Sequence, residues 1–230
     1  MKRNKNKDVM IIAFAAFSMF FGAGNLIFPP YIGMTSGSDW IISFLGFIFS
    51  DVGIILISIA AVLRLGSFEA ILGRAGKRFG LTLEIIIMLC LGPILVVPRT
   101  AATTFEMSIL PLFNSFNPIL FSIIFFLVVF ILTIRPSKVM EILGEFLTPI
   151  LLIALAILII KGIVSPIGDL NNNIQSTELF MTGLTQGYQT MDALATGGIT
   201  ALIISSFLAK GYSRKETTAL TIKSSIIAGI

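Results

Sequence analysis

Two polar, glycine-containing interruptions lie inside apolar stretches of this sequence and are its best candidates for binding chemistry. The first is Gly22-Ala23-Gly24-Asn25, within an apolar run from residue 9 to about residue 33, and the second extends over residues 187–198. Glycine costs about 1 kcal/mol relative to alanine inside a helix, and asparagine also disfavours helix. In hydrocarbon, backbone unwinds only where protein, a cavity or a ligand satisfies its N–H and C=O groups. Each interruption therefore indicates a ligand site, or else a glycine contact between closely packed helices.

Charged residues within apolar stretches form a second group of candidates. Arg99, Thr103 and Glu106 are spaced i, i+4 and i+7, which places them on one face of a helix. Charges at membrane depth pair with one another or face a polar cavity. The three residues are thus either polar support for a site or a structural Arg99–Glu106 ion pair. Asp51 is expected to bond a neighbouring helix rather than a substrate.

The composition indicates an all-α polytopic membrane protein. Of 230 residues, 56% are hydrophobic and 12% are charged, about half the roughly 25% charged residues of soluble domains. The absence of histidine excludes imidazole metal ligands, histidine proton relays and histidine-based triads. The single Cys90 excludes an intramolecular disulfide. No nucleophile–base pair or metal-binding cluster is recognisable, so we expect neither an enzyme, nor a cofactor, nor a fixed structural metal, nor a nucleic-acid partner.

The apolar runs predict one transmembrane domain over residues 1–230, with six full spans and part of a seventh. Lys and Arg concentrate in alternate loops on one side, whereas the opposite loops carry only Lys161. By the positive-inside rule, residues 1–8 and the N-terminus are cytoplasmic. The spans, numbered 1 to 7 below, are predicted at about 9–33, 40–63, 81–110, 118–134, 143–160, 179–209 and 219–230.

The two interruptions fall in spans 1 and 6, which would be the first members of two five-span repeats. Glycine-interrupted segments at corresponding positions of two repeats indicate a substrate site near the bilayer midplane. We therefore expect Gly22–Asn25 and Thr190–Ala193 to be non-helical and to face each other. A channel would leave the interruption in span 6 unexplained.

Three motifs resemble those of the bacterial branched-chain amino acid:cation symporters of the BrnQ type. They are FFGAGNLIFPP at 20–30, GPILVVPRTAATTFE at 92–106 and GYQTMDALA at 187–195. The resemblance implies uptake of leucine, isoleucine and valine across the bacterial cell (inner) membrane, driven by Na⁺ or H⁺. It also implies a leucine-transporter-like fold of two inverted five-span repeats.

The resemblance further implies the roles of individual residues. The N–H groups of Gly22, Ala23 and Gly24 would bind the substrate carboxylate, and Asn25 with neighbouring carbonyl groups would serve substrate or cation. In span 6, Tyr188 to Ala193 would hold the ammonium group and the side chain. The expected substrate site is Gly22, Ala23, Gly24, Asn25, Tyr188, Thr190, Asp192 and Ala193; the expected ion-coupling residues are Ala23, Asn25, Thr190 and Asp192.

Two questions stay open at this point. Asp192 could remain ionised beside Na⁺ or the substrate ammonium, carry a proton, or cap the second half of span 6; we favour the first and third roles together. The family is usually about twice as long as this chain, so we expect a fragment. The alternative to a working symporter is accordingly a half-transporter that does not transport.

Overall fold

The computed structural model describes residues 4–134, 139, 141–166, 168 and 178–229. The described residues form helices and contain no β-strand, in agreement with the predicted all-α class. They divide into two compact units, one built from Met1–Ser67 with Met140–Ile230 and the other from Phe68–Val139. Most of the loop between spans 5 and 6, and Arg135 and Lys138 after span 4, lie outside the described residues.

The helices lie in the apolar stretches of the sequence, and several are joined by π-helical turns. Span 2 is interrupted by the π turn Phe49–Gly53, span 3 by the turns Cys90–Ile94 and Phe105–Ile109, and span 5 begins with the turn Leu143–Leu147. In chain order the α-helices are α1 (Lys5–Phe20), α2 (Ala23–Ser36), α3 (Trp40–Ile48), α4 (Ile54–Leu65), α5 (Phe68–Leu72), α6 (Lys77–Leu89), α7 (Val96–Thr104), α8 (Pro118–Thr133), α9 (Thr148–Val164), α10 (Leu179–Tyr188), α11 (Asp192–Ala209) and α12 (Arg214–Gly229).

Four helical stretches of the described residues are long and apolar enough to cross a membrane. The first, Ala23–Leu65, has 43 residues, about twice the roughly 20 that one crossing requires. A 3-10 turn at Gly37–Asp39, where Gly37 has a φ of +55°, divides it into the second half of span 1 and span 2. The other three are Lys77–Ile109, Leu143–Val164 and Asp192–Ala209, and Pro118–Thr133 is a shorter apolar helix.

Span 1 is broken at Phe21 and Gly22, which we call the first break. Helix α1 ends at Phe20, and the N–H of Phe21 still donates to the carbonyl of Phe17, at 2.7 Å. Gly22 is extended, and α2 begins at Ala23. The helix then continues past Pro29 and Pro30 to Ser36, so the two prolines do not end it.

Span 6 packs against span 2 through glycines that bring α10 close to α3. A Cβ atom on Gly183 would collide with the carbonyl of Ser43, and one on Gly46 would collide with the carbonyl of Phe180. One on Gly187 would lie 2.6 Å from the carbonyl oxygen of Phe47. The spacing of Gly183 and Gly187 is the small-xxx-small pattern of closely packed membrane helices. This contact places the end of α10 beside the middle of span 2.

The apolar core of the first unit lies between α1, α11 and α12. At its edge the Tyr212 hydroxyl donates to Asp8 Oδ2 at 2.8 Å, and Lys210 Nζ lies 3.1 Å from Asp8 Oδ1. The loop between α11 and α12 is thereby tied to the start of α1. The fully packed side chains of this core are Val9, Ile12, Ala15, Ala16, Ile199, Ile203, Phe207, Tyr212 and Leu220.

Candidate functional site

The breaks in spans 1 and 6 lie against each other in the first unit. The second break comprises Gln189–Met191, between the end of α10 and the start of α11. A Cβ atom on Gly24 would lie only 3.2 Å from Thr190 Cα, so the backbones of the two spans are in contact. The two interruptions are therefore in contact, whereas the predicted non-helical backbone is found only at Gly22, Thr190 and Met191.

Both breaks are narrower than predicted. Ala23, Gly24 and Asn25 form the first turn of α2, and Asp192 and Ala193 begin α11. Each break thus consists of two or three residues followed at once by a new helix. The first-turn N–H groups of a helix have no partner inside it and carry its positive dipole end. Two such ends meet at this site.

The second break depends on an unusual backbone conformation at Met191. Met191 has a φ of +68° and is the only non-glycine residue of the described chain with a positive φ. Such a conformation costs of the order of 1–3 kcal/mol and is often found at ligand sites. The Thr190 hydroxyl stabilises the same turn by donating to the carbonyl of Gly187 at 2.7 Å.

Asp51 connects the two broken spans. Asn25 Nδ2 donates to Asp51 Oδ2 at 3.0 Å, and Thr190 Oγ1 donates to Asp51 Oδ1 at 2.8 Å. The single proton of the Thr190 hydroxyl is shared between Asp51 and Gly187. Asp51 is 6% exposed and lies on the π turn Phe49–Gly53. Such turns are frequent at functional sites, and here one carries the carboxyl group that joins spans 1, 2 and 6.

Asn25 also stabilises the first break from within. Its Oδ1 accepts a hydrogen bond from the N–H of Gly22 at 3.3 Å, while its Nδ2 is bonded to Asp51. One side chain therefore holds both the backbone of the break and the link to span 2. Gly22 itself is exposed, and Gly24 is buried against Thr190 and the ring of Phe28.

Asp192 is the second carboxyl group of the site. It begins α11 and is an electrostatic neighbour of Asp51, Asn25 and Thr190. Its Oδ2 is enclosed and has no hydrogen-bond partner among the described residues. The N-cap residue of α11 is Met191, without a side-chain cap, so the expected capping role of Asp192 is wrong. Two neighbouring carboxyl groups repel each other when both are ionised, and a proton or a cation between them would remove that repulsion.

The remaining predicted site residues are less closely grouped. Tyr188 ends α10 and is 59% exposed, and Ala193 is half-buried in the first turn of α11. Arg99, Thr103 and Glu106 belong to the second unit, so their supporting role stays a prediction. Glu106 is exposed within the π turn Phe105–Ile109. The wider turn there departs from the regular i, i+4, i+7 face that the spacing predicts.

Asp51 bonds neighbouring spans, as its sequence position predicts, but its place between the two breaks is not evident from the sequence. The available signal was that Asp51 is the sole acidic residue in the apolar run 40–63. A lone carboxyl group at such depth requires partners. The sequence does not identify Asn25 and Thr190 as those partners.

Comparisons with known proteins cover nearly the whole of this chain. A model of the family described as branched-chain amino acid transport protein matches residues 5–230. Proteins named provisionally as branched-chain amino acid carriers are 36% identical in Staphylococcus saprophyticus and in Staphylococcus aureus strain USA300, and 38% identical in Staphylococcus epidermidis. Each alignment covers 98% of this chain and 52% of the relative, so the chain spans about half their length. Comparison with solved structures gave no significant match.

Proposed function

Because the chain belongs to the family of branched-chain amino acid transport proteins, we propose that it forms the part of a cation symporter that binds leucine, isoleucine or valine. The observation that carries the proposal is the contact between the two breaks, with Asp51 hydrogen-bonded to both. Under this proposal the amino acid binds at Gly22, Ala23, Gly24 and Asn25 of span 1. Span 6 contributes Tyr188, Thr190, Asp192 and Ala193.

The helix ends at the breaks suit a zwitterionic amino acid. Helices α2 and α11 begin at the breaks, and their first-turn N–H groups favour a carboxylate. Helices α1 and α10 end there, and their last carbonyl groups favour an ammonium group. The two breaks thus offer N–H groups to a carboxylate and carbonyl groups to an ammonium group. This combination supports a free amino acid as the ligand.

The oxygen atoms around the breaks support coupling to Na⁺ or H⁺. The site contains two neighbouring carboxyl groups, an amide oxygen and the Thr190 hydroxyl. Oxygen ligands suit a hard cation, and a shared proton would equally relieve the repulsion between Asp51 and Asp192. We propose that Ala23, Asn25, Thr190 and Asp192 couple the ion to the substrate, with Asp51 beside them.

For the whole transporter we propose a leucine-transporter-like fold with inverted repeats, placed in the bacterial cell membrane with its N-terminus in the cytoplasm. Its support is the position of the breaks in spans 1 and 6 and the bias of Lys and Arg between alternate loops. Because the chain spans 52% of its relatives' length, a second candidate is a half-transporter that binds without transporting. Binding and uptake are therefore measured separately.

Gly24→Val tests the proposed function, with Gly33→Val as the control. A side chain at Gly24 meets Thr190 Cα and the Phe28 ring at 3.2 Å, whereas a Cβ at Gly33 of the same helix meets nothing within 4 Å. We expect purified wild type and Gly33→Val to bind labelled leucine, and Gly24→Val to bind it at least tenfold more weakly. Uptake by proteoliposomes of the same chain distinguishes a symporter from a half-transporter. Equal leucine affinity in all three proteins would contradict binding at the breaks.

A further inference from the structure

A cavity of about 290 Å³ opens beside the first break, between the end of α1, span 2 and α12. Its volume is close to the lower end of the roughly 300–1,000 Å³ of small-molecule sites, which suits a small ligand. The wall is mainly aromatic and aliphatic. Residues of that wall include Phe17, Phe20, Phe44, Phe47, Leu56 and Ala228.

The polar part of the cavity wall consists of Asn25, Asp51 and Ser225. Asp51 accepts one hydrogen bond on each oxygen from Asn25 and Thr190. A carboxylate has about four lone-pair positions, so Asp51 can accept further donors from a ligand in the cavity. The wall is therefore apolar over most of its area and contains one carboxyl group, that of Asp51.

Ser225 gives an independent indication of a ligand. It is 4% exposed, and its hydroxyl has no hydrogen-bond partner among the described residues. The hydroxyl of the adjacent Ser224 donates to the carbonyl of Thr221 at 3.1 Å, as is ordinary in a helix. A buried hydroxyl without a partner is unfavourable, and a polar group of a ligand in the cavity would supply the missing hydrogen bond.

We propose that this cavity holds the side chain of the branched-chain amino acid, with its ammonium group donating to Asp51 and Ser225. The proposal rests on the proposed function and adds spans 2 and 7 to the binding site. An aliphatic side chain suits the aromatic and aliphatic wall, and an ammonium group suits the carboxyl group of Asp51. Asn25 borders both the cavity and the first break, so the head of the same amino acid reaches the N-terminus of α2.

Enlarging the cavity should increase the affinity for a larger amino acid, and a misfolded variant cannot show such an increase. Leu56→Ala removes part of the cavity wall, and the exposed neighbour Ile57 provides the control Ile57→Ala. We measure the binding of leucine, valine and phenylalanine to the purified chain in both variants and in the wild type. Leu56→Ala gains affinity for phenylalanine by tenfold or more, because single-group changes in apolar pockets alter selectivity about 10- to 200-fold.

Two further variants test Ala228 and Ser225 of the cavity wall. Ala228→Val fills the cavity and weakens leucine binding more than valine binding, whereas Ala219→Val on the exposed face of the same helix changes neither. Ser225→Ala weakens leucine and valine binding equally, by tenfold or more, whereas Ser224→Ala leaves both nearly unchanged.

The outcomes separate this inference from the proposed function. A wild-type chain that binds no branched-chain amino acid overturns the proposed function and the inference with it. The wild type could instead bind leucine while the cavity variants bind it as their controls do. That result would leave the proposed function standing and overturn the inference. The cavity variants are Leu56→Ala, Ala228→Val and Ser225→Ala. A change only in co-purified phospholipid among the cavity variants would assign the cavity to an acyl chain and also overturn it.

Discussion

The Asp51 carboxyl group is bonded to both broken spans, and its removal has a measurable cost. Asp51→Ala leaves the Asn25 amide without its acceptor, whereas the Thr190 hydroxyl retains only its hydrogen bond to the carbonyl of Gly187. Unpaired buried groups cost about 1–3 kcal/mol each, so we expect a lower thermal midpoint and loss of leucine binding. Asp39→Ala, at an exposed position, is the control. An unchanged midpoint in Asp51→Ala would show that this carboxyl group does not hold the spans together.

At the residue scale, the sequence predicted where the two interruptions lie but overestimated their length, and it did not predict the side-chain contacts between them. Gly22–Asn25 and Thr190–Ala193 were identifiable because glycine and polar residues are conspicuous in an apolar run. The role of Asp192 as a cap was wrong, because Met191, in a left-handed conformation, occupies the N-cap position and Asp192 is the first residue of the helix. The link from Asp51 to Asn25 and Thr190 depends on packing between spans separated by up to 139 residues, which local spacing does not encode.

At the element scale, the contact between α10 and α3 sets the position of the second break. Gly183→Val places a side chain where the carbonyl of Ser43 lies, so the two helices have to separate. Overpacking costs typically about 1–3 kcal/mol, and Thr190 would move away from Asp51. We expect a lower thermal midpoint together with weaker leucine binding.

Gly162→Val is the matched control for this contact. Gly162 lies in α9, and a Cβ atom there would meet nothing within 4 Å. Its variant therefore reports the effect of replacing a glycine by valine in a membrane helix without a close neighbour. Equal thermal midpoints in the two variants would show that the glycine contact does not position the second break.

The tie between α1 and the loop after α11 gives a second prediction at the element scale. Tyr212→Phe removes the hydroxyl that donates to Asp8 at 2.8 Å but retains the ring that packs edge-on against Phe207. Loss of this hydrogen bond lowers stability by about 1–3 kcal/mol, seen as a lower thermal midpoint. Tyr31→Phe, at a residue 43% exposed, should have no such effect. If both variants had the same thermal midpoint as the wild type, this hydrogen bond would contribute little to stability.

The sequence predicted an all-helical chain, whereas it did not predict the π-helical turns. A long apolar run without charged residues predicts a membrane-spanning helix, whatever the exact geometry of its turns. The turns at Phe49–Gly53 and Phe105–Ile109 change which side chains share a face, and no spacing rule for a regular α-helix reports them. This is why Glu106 was assigned to a regular helical face.

At the scale of the whole molecule, the sequence predicted a polytopic helical protein but not its division into compact units. Breaks in spans 1 and 6 and the core residues of α1, α11 and α12 all lie in the first unit, whereas span 3 with Arg99 and Thr103 lies in the second. Composition and periodicity act within single helices, whereas this division depends on contacts between distant parts of the chain. The roles of Arg99, Thr103 and Glu106 remain predictions for that reason.

Under the proposed function, Asp192→Asn distinguishes Na⁺ from H⁺ as the coupling ion. Asp192 neighbours Asp51, and its Oδ2 has no hydrogen-bond partner among the described residues. A cation or a proton could therefore bind to this oxygen. The amide keeps the shape of the side chain and removes its charge. If Asp192 remains ionised beside Na⁺ or the substrate ammonium, as we expect, Asp192→Asn weakens leucine binding at every pH and reduces its dependence on Na⁺.

A proton-carrying Asp192 gives a different pattern in the same measurement. The amide would then imitate the protonated carboxyl group, and leucine binding would lose its pH dependence while keeping its full response to Na⁺. Leucine affinity is measured for wild type, Asp192→Asn and the exposed control Asp39→Asn across a pH series, with and without Na⁺. Because the chain contains no histidine, a pH response near neutrality that disappears only in Asp192→Asn would assign the proton to this carboxyl group and contradict the ionised role.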